Sequence, residues 1–224
     1  MSNGTLPEKL AIGTRGSPLA LAQANEVRNK ILSSNVLDPN KVKIEIIKTS
    51  GDKFLNTSLS KIGGKGLFTK EIQQALIEKR IDIAVHSMKD VETELPEKLV
   101  ISTILEREDV RDSFISRKYS SIAELPLGSV VGTSSLRRKA QLLNKRNDLE
   151  VVEFRGNVQK RLEKLDNNVA VATFLATAGL NRLGLEELIN PISTNEMLPA
   201  VAQGAIGIEH LRSEKIEEML APLN

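Results

Sequence analysis

Leu10-Ala11-Ile12-Gly13-Thr14-Arg15-Gly16-Ser17-Pro18 passes from a short apolar strand, through a tight turn, into a helix. Ser17 suits the N-cap, and Pro18 suits the first helical position, where a backbone N–H is not needed. The same device recurs twice. Val131-Gly132-Thr133-Ser134-Ser135-Leu136-Arg137-Arg138 sets serines ahead of a helix, and Phe154-Arg155-Gly156-Asn157 offers Asn157 as a cap with Arg161 one turn further on. Each copy reads as strand, small polar turn, arginine and helix.

Beyond these turns, the period-2 alternation of Val42, Ile44 and Ile46 with charged neighbours predicts a strand over 41–49. Short apolar runs predict further strands at 82–87, 100–105, 113–116, 129–133 and 150–154. Helical spacing predicts helices at 18–32, 68–80, 135–145, 158–165, 174–180 and 213–220. Strands alternating with helices of this length argue for an α/β fold with mainly parallel sheets. The charged stretch 105–111 and the segment flanked by Pro191 and Pro199 read as two crossings between domains. The expected division is therefore 1–104 plus 198–224 for a discontinuous first domain, and 105–197 for the second.

Composition narrows the function. The 224 residues are 40% hydrophobic and 27% charged, enough for real cores, with apolar runs too short to span a membrane. There is no cysteine, so disulfides, thiolate metal sites and thiol nucleophiles are excluded from these residues. Between residues 131 and 165 nine Lys/Arg face four acids, a local excess of +5 within a chain of net charge +2. A concentrated positive segment on a near-neutral chain suits a small anionic ligand better than a long polyanion. Aromatics are 3% of the chain and Trp is absent, so no stacking platform for nucleic acid is expected. The first residues have neither a basic start nor an apolar run, and the expected location is the cytoplasm.

The three turns are candidate anion seats, because a helix N-terminus presents unpaired N–H groups and arginine adds a bidentate fork. Ordinary capping with a surface arginine is the competing reading of each, and carboxylate and phosphate are not distinguished. Gly63-Gly64-Lys65-Gly66 lacks P-loop spacing and reads as a mobile loop delivering Lys61 and Lys65. Ile83-Ala84-Val85-His86-Ser87-Met88-Lys89-Asp90 ends an apolar strand in polar residues, where α/β enzymes keep catalytic groups. Asp90 beside Lys89 is a candidate for facing a developing cation, against the alternative of a solvated turn. His86 reads as structural, and no cluster has metal-ligand spacing.

These motifs occur in order with Ala178-Gly179-Leu180-Asn181-Arg182-Leu183 and Leu198-Pro199-Ala200-Val201-Ala202-Gln203-Gly204. Together they resemble the porphobilinogen deaminase (hydroxymethylbilane synthase) family from about Leu10 to the C-terminus. The resemblance implies two periplasmic-binding-protein-like α/β domains with an interdomain cleft, and a third domain bearing a cysteine. It implies a transferase of tetrapyrrole (heme) biosynthesis that joins four porphobilinogen molecules into hydroxymethylbilane, releasing ammonia. Growth proceeds on a dipyrromethane cofactor held as a thioether, with no metal. By match, Asp90 is the catalytic aspartate, a buried carboxylate that stabilises the azafulvene cation. Arg15, Ser17, Lys89, Arg137, Arg138, Arg155, Arg161 and Arg182 bind substrate and cofactor carboxylates, helped by Thr133, Ser134 and Ser135. Lys61, Lys65 and Phe68 belong to the active-site loop. Val171 stands where the family usually carries an acidic residue. Without a cysteine the chain is expected to correspond to the first two domains, to lack the cofactor-cysteine domain, and to be inactive alone. The expected partners are porphobilinogen and its oligomers, with no nucleic acid or membrane, for a monomer. The alternative is a non-catalytic two-domain binding module for pyrrole carboxylates or another small polyanion.

Overall fold

The computed structural model describes residues 9–34, 37–53 and 66–224. Its contacts divide the chain into two compact units, residues 1–107 with 205–224, and residues 108–204.

Unit 1 holds a five-stranded sheet in the order β2-β1-β3-β9-β4. Strand β1 (Leu10–Thr14) runs parallel to β2 (Val42–Ile46) and β3 (Ile83–Ser87). The last strand, β9 (Ile206–Leu211), enters antiparallel between β3 and β4 (Leu99–Ile104). Alternation assigns the two faces. Leu10, Ile12, Ile83 and Val85 pack with Ala24, Val27 and Ile31 of helix α1 (Pro18–Ser33) and with Met219 and Leu220 of the closing helix. On the opposite face Ala84 packs with Ile72, Ala75 and Leu76 of α3 (Lys70–Ile77), which follows the single turn α2 (Ser50–Lys53).

Unit 2 holds four strands in the order β5-β8-β6-β7. Here β6 (Val130–Gly132) is parallel to β7 (Glu150–Val152) and β8 (Ala172–Ala176), while β5 (Asp112–Ser116) is antiparallel to β8. Val131, Ala172 and Phe174 face Leu142 of α4 (Leu136–Lys145). Leu175 and Phe154 face Leu165 of α5 (Val158–Asp166) and Leu180 of α6 (Thr177–Arg182). The chain ends in α7 (Glu214–Leu220) and a short 3-10 turn.

Three expectations are corrected. The segment predicted as a helix over 174–180 begins as the end of β8, and helix starts only at Thr177. Neighbouring β5 and β6 supply a ladder to both sides of that apolar run, and a paired central strand outweighs its local helical spacing. Strand β9 has no counterpart in the predicted set; Glu209 and His210 interrupt its apolar pattern, yet both are fully buried. The insertion leaves the sheets mixed but, as expected, mainly parallel, with four parallel pairings and three antiparallel ones. Residues 198–204, assigned from sequence to the first domain, pack with unit 2. Arg137 and Gln141 donate to the Leu198 carbonyl, and the buried Gln203 amide donates to the Val110 carbonyl at 2.8 Å.

Candidate functional site

The turn after β1 is built as its residues dictate. Ser17 is extended and caps α1, its Oγ accepting from the Ala20 N–H at 3.3 Å, while Thr14 Oγ1 donates to the Ala20 carbonyl at 3.1 Å. Arg15 is thereby set on the outer side of the turn, its guanidinium 4.1 Å from the centroid of the Phe68 ring. Cation–π stacking of this kind orders the guanidinium. The same small concavity is lined by Arg15, Phe68, Gln23, His86, Ser87 and Asp90. Gln23 Nε2 donates to Ser87 Oγ at 2.8 Å, tying α1 to the end of β3.

Lys89 and Asp90 follow β3 in the single 3-10 turn Met88–Asp90, and both are exposed. Asp90 is thus a solvent-facing carboxylate on the rim of the Arg15 pocket, in place of the buried group expected. Beneath it lies a buried polar layer that sequence reasoning missed. Glu209 accepts from Gln73 Nε2 at 3.0 Å and meets His86 Nε2 at 2.9 Å. Lys61 and Lys65 lie outside the described residues.

In unit 2 the second and third turns adjoin, because β6 and β7 are parallel neighbours. Ser134 Oγ accepts from the Phe154 N–H at 2.9 Å and joins them directly. Ser135 caps α4, accepting from the Arg138 N–H at 3.4 Å, and Thr133 Oγ1 accepts from the Ser135 N–H at 3.2 Å. All three hydroxyls therefore serve the turn itself. Asn157 caps α5, accepting from the Lys160 N–H at 2.9 Å. Arg161 Nε donates to the Gly156 carbonyl at 3.0 Å, and Arg182 Nη2 to the Gly204 carbonyl at 3.1 Å. Arg155 Nη1 is a buried donor with no hydrogen-bond partner among the described residues, which suits it to an anion.

Arg137 and Arg138, adjacent in sequence, are placed differently. Arg138 is buried, with Nη1 donating to the Phe174 carbonyl at 2.8 Å and Nη2 to Asp112 Oδ1 at 2.6 Å. Arg137 is about a quarter exposed, and its Nη2 lies 2.7 Å from Asp112 Oδ2. Burial pushes the Asp112 carboxyl up, but the charge and hydrogen bond of Arg138, then the Arg137 charge and Gln203, more than offset this. Its pKa lies below the ordinary carboxylate value. Asp112 opens a strand after a densely charged stretch, and its sequence neighbourhood carried no sign of a buried role.

Among the described residues no group of His, Asp and Glu could hold a metal ion, and no helix is long and apolar enough to cross a membrane.

A family model described as porphobilinogen deaminase, dipyromethane cofactor binding domain, matches residues 10–218. The porphobilinogen deaminase of Paracoccus denitrificans is 58% identical over 201 residues, covering 89% of this chain and 64% of the relative. The chloroplastic enzyme of Pisum sativum is 56% identical over 220 residues, covering 96% and 60%. The chain therefore spans somewhat less than two thirds of the length of these relatives. Among solved structures, lipoprotein Tp32 from Treponema pallidum superposes with a TM-score of 0.57 at 12% identity, covering 96% of this chain and 88% of Tp32. The methionine-binding protein MetQ gives 0.56 at 15% identity, covering 97% and 89%. These likenesses identify the fold as periplasmic-binding-protein-like α/β.

Proposed function

The chain belongs to the porphobilinogen deaminase family, and on that premise we propose that its residues bind porphobilinogen for head-to-tail polymerisation into hydroxymethylbilane with loss of ammonia. The observation that carries this reading is one pocket of unit 1, where the ordered Arg15 guanidinium and the Asp90 carboxylate share a rim. Porphobilinogen carries two carboxylates and an aminomethyl group, so it needs a cation and an anion at neighbouring points. Arg15 takes a carboxylate. Asp90 faces the aminomethyl nitrogen and, as the C–N bond breaks, the positive charge left on the pyrrole. Ammonia leaves with the bonding electron pair. Attack by a pyrrole α-carbon forms the new C–C bond, and the α-proton is lost to Asp90 or water, restoring the aromatic ring.

Dipyrromethane, when bound, supplies the first α-carbon nucleophile. The residues fit its carboxylate side: Arg155 offers a buried, unpartnered N–H at the turn that precedes α5. Arg137, Arg161 and Arg182, with Ser17 and Lys89 in unit 1, are further proposed carboxylate binders. The thioether has no sulfur donor among these 224 residues, which contain no cysteine. On this reading the 224-residue chain binds porphobilinogen and its oligomers in the cytoplasm as a monomer, without nucleic acid or membrane, and holds no pyrrole covalently. The alternative of a non-catalytic binding module is not favoured, because the relatives are named as deaminases.

The test is calorimetric titration of the chain with porphobilinogen, followed by intact mass. Saturable binding that weakens at least tenfold in Arg15→Ala, with no mass increase, is expected. Absence of binding at millimolar porphobilinogen overturns the proposal.

A further inference from the structure

Asp112 sits at the centre of a four-residue arrangement gathered from three distant parts of unit 2. It opens β5, the two arginines lie in the first turn of α4, and Gln203 comes from the return segment. The carboxylate is fully buried, and so, within a few percent, are Arg138 and Gln203. Oδ1 accepts from Arg138 Nη2 at 2.6 Å and from Gln203 Nε2 at 3.0 Å. Oδ2 lies 2.7 Å from Arg137 Nη2 but receives no aligned hydrogen bond among the described residues. The two arginines are therefore held unequally. Arg138 is locked by aligned bonds to Asp112 and to the Phe174 carbonyl, whereas Arg137 is drawn in by charge and remains partly open to solvent.

Two guanidinium groups and one carboxylate leave a surplus of one positive charge, and only Arg137 has an open side through which to express it. Resting on the proposed binding of pyrrole carboxylates, we propose that Asp112 and Gln203 are positioning residues for Arg137, and that Arg138 completes their buried clamp. The pair is a single seat for one carboxylate. Asp112 restrains Arg137 on one side while the Leu198 carbonyl accepts from its Nη1 on the other. Together these contacts restrict the fork in which a ligand carboxylate docks.

The test turns on the sign of one substitution. Asp112→Asn keeps the shape and removes a negative charge beside the seat, so attraction by charge alone makes porphobilinogen bind tighter. Positioning makes it bind weaker, by about tenfold, and lets the Arg137 guanidinium NMR signals of the free chain broaden or average. Gln203→Met, which leaves all charges in place, is expected to weaken binding by about threefold with partial loss of the same signals. It serves as the second arm if Asp112→Asn does not fold. Unchanged or tighter binding in a folded variant, with Arg137 signals as in wild type, overturns the proposal. If the wild-type chain binds no porphobilinogen, the functional reading fails while the guanidinium signals still decide whether Asp112 orders Arg137. Signals that are already averaged in the wild type overturn the positioning itself.

Discussion

Glu209 reaches diagonally across the β3–β9 pair to His86, with Oε2 2.9 Å from Nε2 and neither side chain more than 5% exposed. The register explains the contact. Ala84 is opposite Glu209 and Gly207 is opposite His86, so the two polar side chains share a face with only small residues beside them. A side chain at Gly207 would collide with Met88, whose sulfur lies 2.2 Å from the place its Cβ would occupy. The pair thus forms a buried layer under the Asp90 turn, with Gln73 as its third member.

Removing one partner of a buried pair leaves the other uncompensated. Glu209→Ala is expected to destabilise unit 1 by about 3–5 kcal/mol. Glu209→Gln, which retains part of the hydrogen bonding, should cost about 1–3 kcal/mol. Urea unfolding followed by circular dichroism checks both; equal, small losses would mean the layer is not a network.

Asp112 makes stability depend on acid. Its folded pKa lies below the ordinary value of 3.8, so its contribution is fully present above that value and is lost as pH falls through the lower, folded one. Wild-type stability should therefore decline on acidification below about pH 4, and Asp112→Asn should flatten that decline while lowering the plateau above it. Denaturant midpoints between pH 2 and 6 give the comparison.

Gly204 and Gly13 make a graded pair. Gly204 has φ +93°, and a Cβ there would lie 2.3 Å from the Glu108 carbonyl oxygen, a backbone atom. At Gly13 the closest atom, at 2.2 Å, is the end of the Ile81 side chain, which can rotate. Gly204→Ala should cost about 2–4 kcal/mol, and Gly13→Ala about 1 kcal/mol. A larger loss for Gly13→Ala in thermal unfolding would contradict this ordering.

Asp90→Asn tests the proposed chemistry. In a full-length, cysteine-containing relative, the equivalent change should abolish ammonia release. In this chain it should weaken porphobilinogen binding, but less than Arg15→Ala does, because the carboxylate seat at Arg15 and its Phe68 support are untouched. Retained turnover would remove Asp90 from the mechanism.

The caps are the most local features and were legible. Ser17, Ser135 and Asn157 each accept the N–H three residues on, as their positions before apolar-periodic helices imply. Replacing any one by Ala should cost about 1 kcal/mol, measurable by thermal unfolding of the single variants.

Much of the candidate site was legible for the same reason. A strand, a polar turn and an arginine lie within one window, and the chain geometry places them at the carboxyl end of a sheet. The paired Arg137 and Arg138 show where such reading ends. Identical side chains at consecutive positions on a helix point about 100° apart, so one remains accessible and the other turns inward to Asp112. Nothing within the helix identifies the inner partner.

By itself the sequence determined the alternation of strands and helices, the caps, the clustering of positive charge and the absence of a thiol. Each depends on periodicity or composition over a few residues. The tertiary structure decided the rest: the insertion of β9, the burial of His86 against Glu209 and the division of labour between Arg137 and Arg138. These rest on partners 26 residues apart for Arg138 and Asp112, 91 for Gln203 and Asp112, and 123 for His86 and Glu209. A buried polar or charged group is tolerated only where its partner arrives, and over such separations only the completed fold brings the two together.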